Sequence, residues 1–111
     1  MLREQLESDG LSFPRIATIL RRFAIEHKHV NRIDLYHTGE RYSLAILLKE
    51  PVTVARIREI NQDIKPLLKA EFSASDPAVY IVGSQHASAD MFYRSGSTII
   101  HKSLSPQTFS L

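Results

Sequence analysis

Residues 30–49 read VNRIDLYHTGERYSLAILLK, and this stretch decides the fold. Apolar and polar side chains alternate on both sides of a central Thr-Gly-Glu segment, which is the pattern of two half-buried strands joined by a tight turn. Gly39 supplies the residue that adopts positive φ in such a turn. We therefore predict an antiparallel β-hairpin formed by residues 30–37 and 41–49.

Pairing across this hairpin sorts its side chains into two faces. The face expected to form the core carries Ile33, Leu35, His37, Tyr42, Leu44, Ile46 and Leu48. The reverse face is mixed and carries Arg32, Asp34, Tyr36, Ser43, Ala45, Leu47 and Lys49. Because it holds more apolar area than water favours, we interpret Tyr36, Ala45 and Leu47 as a partner-binding surface that a second copy of the chain covers.

Two amphipathic helices are predicted on either side of the hairpin, over residues 12–28 and 53–72. Each has one apolar stripe at helical spacing, so each is expected to pack one side on the core. Ser12 and Thr53 are suitable N-caps. Pro66 falls inside the second helix, where proline removes a backbone donor, so we expect a kink or a break near Lys65.

The remaining elements are short: 1–10 (a helical turn ended by Asp9-Gly10), 78–83 (AVYIVG, an interior strand), 86–94 (a short helix), 98–102 (a last strand) and 103–111 (a tail). The order is α-β-β-α-β-(α)-β. It predicts an α+β fold: a two-layer sandwich in which two main helices cover one face of a mostly antiparallel four-stranded sheet. No repeat or linker divides the chain, so residues 1–111 are predicted to form a single domain.

Composition narrows the classes of function. The chain is 43% hydrophobic and 23% charged, which is ordinary for a globular domain, and it has no cysteine for disulfides or thiolate zinc sites. The apolar run Leu44–Leu48 is far shorter than the roughly 20 residues that cross a bilayer. The N-terminus is polar and lacks the apolar segment of a signal peptide. These features predict a cytoplasmic protein with no membrane partner.

The positive charge is concentrated in one segment. The formal net charge is +2, yet residues 11–32 carry five basic side chains and a single acid, Glu26. The alternative function is therefore a nucleic-acid-binding module that uses the basic face of helix 12–28, through Arg15, Arg21, Arg22 and Lys28. Arg15, Arg22 and His29 would form a line along that face.

The five histidines are the candidates for metal binding and catalysis. His37 lies beside the hairpin turn and His101 ends the last predicted strand, so neighbouring strands would bring them together as a metal site with Glu40 nearby. No ligand, nucleophile or phosphate motif supports this, and the four glycines never fall at cofactor-binding spacing. We predict no cofactor and assign no catalytic residue.

The sequence therefore favours a small non-catalytic protein-interaction or regulatory module, homodimeric through the mixed sheet face or bound to another protein. A second alternative is a small histidine-dependent enzyme that uses His37, His86 or His101. The element order is similar to that of small nucleotidyltransferase domains, and a degenerate member of that family belongs to this alternative. Residues 35–39 (LYHTG) stand where that family has a Gly-Ser pair, and no paired aspartates follow.

Overall fold

The structure, a computed structural model, describes residues 2–38, 41–73, 77–84 and 107–110. Within them lie three helices and four strands: α1 (Leu2–Ser8), α2 (Phe13–Glu26), β1 (Val30–Thr38), β2 (Arg41–Leu48), α3 (Val54–Phe72), β3 (Ala78–Val82) and β4 (Gln107–Ser110). The α+β class is confirmed. The predicted helix at 86–94 and strand at 98–102 lie outside the described residues.

The described strands form one mixed sheet in the order β3-β2-β1-β4. β1 is antiparallel to both β2 and β4, whereas β2 and β3 are parallel. β4 falls within residues 103–111, for which the sequence predicted only a tail. The tail prediction is wrong at residues 107–110, because hydrogen bonding to β1 gives this short polar segment a strand conformation that its own pattern does not signal.

The register of the hairpin matches the predicted faces. Ile33 pairs with Ile46, and Leu35 pairs with Leu44, so these apolar residues share one side of the sheet. A β-bulge between Val30 and Arg32 shifts the register by one residue at the start of β1. The bulge lets Val30 join the same core as Ile33, because the extra residue resets the alternation of side chains.

The two long helices begin at the predicted caps. Ser12 Oγ accepts a hydrogen bond from the Arg15 amide at 3.4 Å, and Thr53 Oγ1 accepts one from the Arg56 amide at 3.2 Å. Of the predicted kink or break near Lys65, the break is absent, because α3 continues as one helix through Pro66. Buried apolar residues on both sides of the proline offset its lost hydrogen bond by packing on the sheet: Ile60, Ile64, Leu68 and Phe72.

The main core lies between the helices and the first face of the sheet. All three helices contribute to it, beginning with Leu6 of α1. α1 ends at Ser8, and the φ of +77° at Gly10 just after it allows the Leu11 amide to donate to the Leu6 carbonyl at 2.9 Å. Of the helices described, none has the length and apolar character needed to cross a membrane.

Candidate functional site

The second face of the sheet is the surface on which the sequence placed a partner. Tyr36, Ala45 and Leu47 are 0%, 1% and 5% exposed within the single chain. They form a small apolar cluster with Val82, and Tyr80 packs against it. The structure therefore differs from the expectation of an open face, since these three side chains have almost no area left for a partner to cover.

A buried polar group accompanies this apolar cluster. Asp34 is 0% exposed, and its Oδ2 accepts hydrogen bonds from Arg32 Nε at 3.2 Å and from the Tyr36 hydroxyl at 3.4 Å. Asp34 Oδ1 and Ser43 Oγ are buried without a hydrogen-bond partner in the described part of the chain. The sequence placed these residues on this face but did not predict their burial.

The edge of the sheet at β3 offers a different surface. The sequence predicted an interior strand here, yet β3 pairs with β2 alone among the described strands. Its apolar residues on both parities reflect two covered faces, since the described strands give β3 a single neighbour. Val79 and Ile81 pack against the main core, whereas Tyr80 and Val82 join the cluster on the second face.

The exposure of β3 distinguishes it from the centre of the sheet. Every β2 residue after Arg41 is buried, whereas the first four residues of β3 are only partly buried. β3 reads AVYIV and contains no charged residue and no proline. Such a strand lacks the charges, prolines and bulges that usually prevent an edge from pairing with another chain.

The outer face of α2 carries the residues of the predicted nucleic-acid surface. Two members of the predicted line are paired within the chain. Arg15 lies 3.1 Å from Glu71 Oε1, and the ring of His29 lies 3.1 Å from Glu50 Oε1. The structure therefore does not present three free cations along this helix.

An exposed apolar side chain lies among the remaining cations of α2. Ile25 is 63% exposed, and Arg21 and Arg22 of the same helix are also exposed, as is Lys28 in the turn after the C-cap His27. Arg22 and Lys28 form no ion pair with any of the described residues, whereas Arg21 has an interaction partner. This surface is both cationic and apolar.

His37 is the described member of the predicted metal pair, and His101 lies outside the described residues. The His37 ring contacts Tyr42, with 4.6 Å between ring centroids. The Tyr42 hydroxyl donates to Asp9 Oδ2 at 2.5 Å, which ties the end of α1 to β2. Sequence reasoning missed this group because Asp9 and Tyr42 are 33 residues apart.

Hydrogen bonding and burial alter the acid–base properties of this group. The hydrogen bond from Tyr42 holds the pKa of Asp9 below its ordinary value, with smaller contributions from the Gln5 amide and from the charge of His37. Burial raises the pKa of Tyr42 above its ordinary value, and the Asp9 carboxylate raises it further. Both changes favour a neutral tyrosine beside an ionised aspartate.

Two features of the described residues bear on the enzyme alternative: their metal-ligating side chains and the groove beside α2. They contain no group of three or more His, Cys, Asp or Glu side chains placed to hold a metal ion. An open groove of about 330 Å³ lies beside α2, lined by Pro14, Arg15, Thr18, Ile19 and Glu71. Since the described lining includes no histidine, this groove does not bring His37 to a substrate. His86 lies outside the described residues.

Comparison of the chain with protein-family models, with curated proteins and with solved structures found no match.

Proposed function

We propose that this chain is a non-catalytic protein-interaction module that binds a second copy of itself through the edge strand β3. The observation that carries the proposal is an apolar, uncharged five-residue strand at the end of the described sheet, with its first four residues partly exposed. Pairing two such strands would join the sheets of two chains into one continuous sheet.

The chemistry of β3 suits pairing with its own copy. An antiparallel pair of identical strands related by a twofold axis places each residue opposite a residue of the same segment. Since AVYIV carries no charge, no register of this pair brings like charges together. Unpaired backbone donors and acceptors at a strand edge supply the hydrogen bonds, and the partly exposed Val79 and Ile81 supply apolar area.

The size of the strand limits the strength of this association. Five residues a side is small beside standard interfaces, which bury roughly 1,200–2,000 Å² in total. We therefore expect a dissociation constant on the order of micromolar, and a dimer that forms and dissociates readily.

The β3 edge is a better candidate for the dimer interface than the mixed face of the sheet. Tyr36, Ala45 and Leu47 are already buried in one chain, so a partner would gain little by covering them. Homodimerisation through that face stays a prediction, and it would require the chain to expose these side chains first. Pairing at β3 requires no such change in the described residues.

The test substitutes lysine at the edge and measures the molar mass by light scattering. Ala78→Lys is suitable because Ala78 is partly exposed and belongs to neither apolar cluster. Ala70→Lys on the exposed side of α3 is the matched control. We expect a dimer for the parent chain and for Ala70→Lys, and a monomer with unchanged circular dichroism for Ala78→Lys.

Two results would count against β3 as the interface. The parent chain could remain monomeric at several hundred micromolar, far above the dissociation constant expected from this interface. The Ala78→Lys variant could remain folded and dimeric, in which case another surface joins the two chains. Because Leu47 is buried within one chain, Leu47→Asp tests the mixed face only when circular dichroism shows that the variant is still folded.

A further inference from the structure

We propose that the outer face of α2, centred on Ile25, binds an acidic amphipathic segment of another protein. We define this cationic face as Arg21, Arg22, Ile25 and Lys28. It lies on a helix and not on the β3 edge, so the proposal does not depend on dimerisation.

The first observation is the exposure of Ile25. It is 63% exposed and lies two residues before the C-cap His27, with Arg22 three residues before it in the helix and Lys28 in the turn that follows the cap. Side chains three residues apart lie on the same side of a helix. Arg22 therefore lies beside Ile25 on the helix surface, and a partner that covers the isoleucine also approaches this cation.

The second observation is the distribution of ion pairs along the helix. Arg15 and His29, which flank the cationic face, are paired with Glu71 and Glu50. Arg22 and Lys28 have no such carboxylate among the described residues. Among the described residues, Arg22 and Lys28 are therefore cations without an ion pair near the C-terminal end of α2, where an acidic partner would be attracted although the exposed Glu26 lies beside Ile25.

The apolar centre of the face favours a protein over a nucleic acid. Phosphates satisfy cations but give Ile25 no apolar surface to contact. Base stacking would need an exposed aromatic ring, and the two aromatic residues of α2 do not supply one. Phe23 is buried, and the partly buried Phe13 packs against the core with Arg3 over its ring.

The chemistry of the partner follows from this arrangement. A helix with leucines at i, i+3 or i+4 presents an apolar stripe that can cover Ile25. Glutamates or aspartates beside the stripe would lie opposite Arg22 and Lys28. Burial of the isoleucine provides most of the affinity, and the charges provide specificity and dependence on salt.

The test uses a synthetic amphipathic peptide with a leucine stripe flanked by glutamates, labelled for fluorescence anisotropy. A peptide of the same composition with the leucines scattered is the control ligand. Ile25→Ser should weaken binding of the striped peptide by about tenfold or more, because the contact area of the side chain is lost. The single variant Arg22→Glu should also weaken binding of the striped peptide and reduce the dependence of that binding on salt.

Matched variants on α3 show whether the effect is local. Val54→Ser removes another exposed apolar side chain, of 65% exposure, and Arg58→Glu reverses another exposed cation. Neither should change the affinity. Light scattering on all four variants should give the molar mass of the parent chain, so that failure at this face is distinguished from failure of dimerisation.

Four results would overturn the proposal. The striped peptide could fail to bind at low salt, or it could bind no better than the scattered one. Ile25→Ser could bind as tightly as the parent chain. Labelled duplex or single-stranded DNA could bind in a manner that Arg22→Glu abolishes and Ile25→Ser does not, which would identify this helix as a nucleic-acid surface.

Discussion

His27 Nε2 lies 2.9 Å from Asp63 Oδ2, and this contact joins the C-terminus of α2 to the middle of α3. The other ring nitrogen, Nδ1, lies 3.0 Å from the Phe23 carbonyl, and the ring stacks on Phe23 with 3.9 Å between centroids. Both neighbours of the ring are acceptors, so only the doubly protonated form donates to both. The ring fixes the end of α2, which carries the cationic face, relative to α3.

The first prediction concerns the two partners in this contact. His27→Ala should lower the free energy of unfolding by about 1–2 kcal/mol, because it removes the hydrogen bond to the helix end together with the ring packing. Asp63→Ala should cost less than about 1 kcal/mol, since the Asp63 side chain is 47% exposed and surface ion pairs are weak. Urea denaturation measures both. Equal losses for the two variants would mean that the ion pair, and not the packing of the ring, stabilises this helix end.

The second prediction concerns the pH dependence of stability at Asp9 and Tyr42. The pKa of Asp9 is lowered in the fold, so the group contributes stability above pH of about 4 that is lost as the pH falls through its folded pKa. The pKa of Tyr42 is raised, so its contribution is present below pH of about 10 and is lost as the pH rises beyond that value.

Tyr42→Phe should therefore reduce stability at neutral pH and flatten the profile at both ends. The same variant should raise the pKa of Asp9 toward its ordinary value, since its strongest hydrogen-bond donor is gone. Carbon-13 NMR titration of the Asp9 carboxyl measures this change. Tyr80→Phe, on the second face of the sheet, is the control and should leave the titration of Asp9 unchanged. An Asp9 titration that Tyr42→Phe does not move would refute the assignment.

The third prediction contrasts two buried polar side chains on the second face. Asp34→Ala should destabilise the fold by about 3 kcal/mol, because it leaves the Arg32 guanidinium and the Tyr36 hydroxyl without this acceptor. Ser43→Ala should be neutral or stabilising by up to about 1 kcal/mol, since it removes a buried hydroxyl with no partner among the described residues. Thermal unfolding distinguishes the two outcomes. A large loss for Ser43→Ala would show that its hydroxyl is hydrogen-bonded in solution.

The fourth prediction concerns the end of α3. Ser73 has a φ of 52°, a conformation that favours glycine, while its amide donates to the Lys69 carbonyl at 3.2 Å. Ser73→Gly should raise the free energy of unfolding by about 0.5–1 kcal/mol and the melting temperature by several degrees. Ser84→Gly is a control. If Ser73→Gly gave no increase, or no more than Ser84→Gly, the serine would be unstrained in solution.

The local elements were predictable from the sequence because their signals are local. The alternation in residues 30–49 determines the hairpin register, and Ser12 and Thr53 mark the starts of the helices. The predicted core face is buried, apart from the partly buried His37. Each of these features depends on side-chain period or on residues within one turn.

The interaction surfaces were harder to predict because they depend on distant parts of the chain. The residues of β3 are apolar on both faces in either an interior or an edge strand, so the pattern alone could not locate it. The pairing of Arg15 with Glu71 joins residues 56 apart, and that of His27 with Asp63 joins residues 36 apart. The basic residues around Ile25 are evident from the sequence, but the ion pairs of Arg15 and His29 were not predictable from it.

The most direct test of the proposed function is sedimentation equilibrium of the unmodified chain over a wide range of concentration. The proposal predicts a monomer–dimer equilibrium with a dissociation constant on the order of micromolar, as expected for a short pair of edge strands. Backbone amides of β3 should exchange more slowly with solvent at concentrations where the dimer is formed. A single monomeric species throughout, with exchange at β3 independent of concentration, would contradict association through this strand.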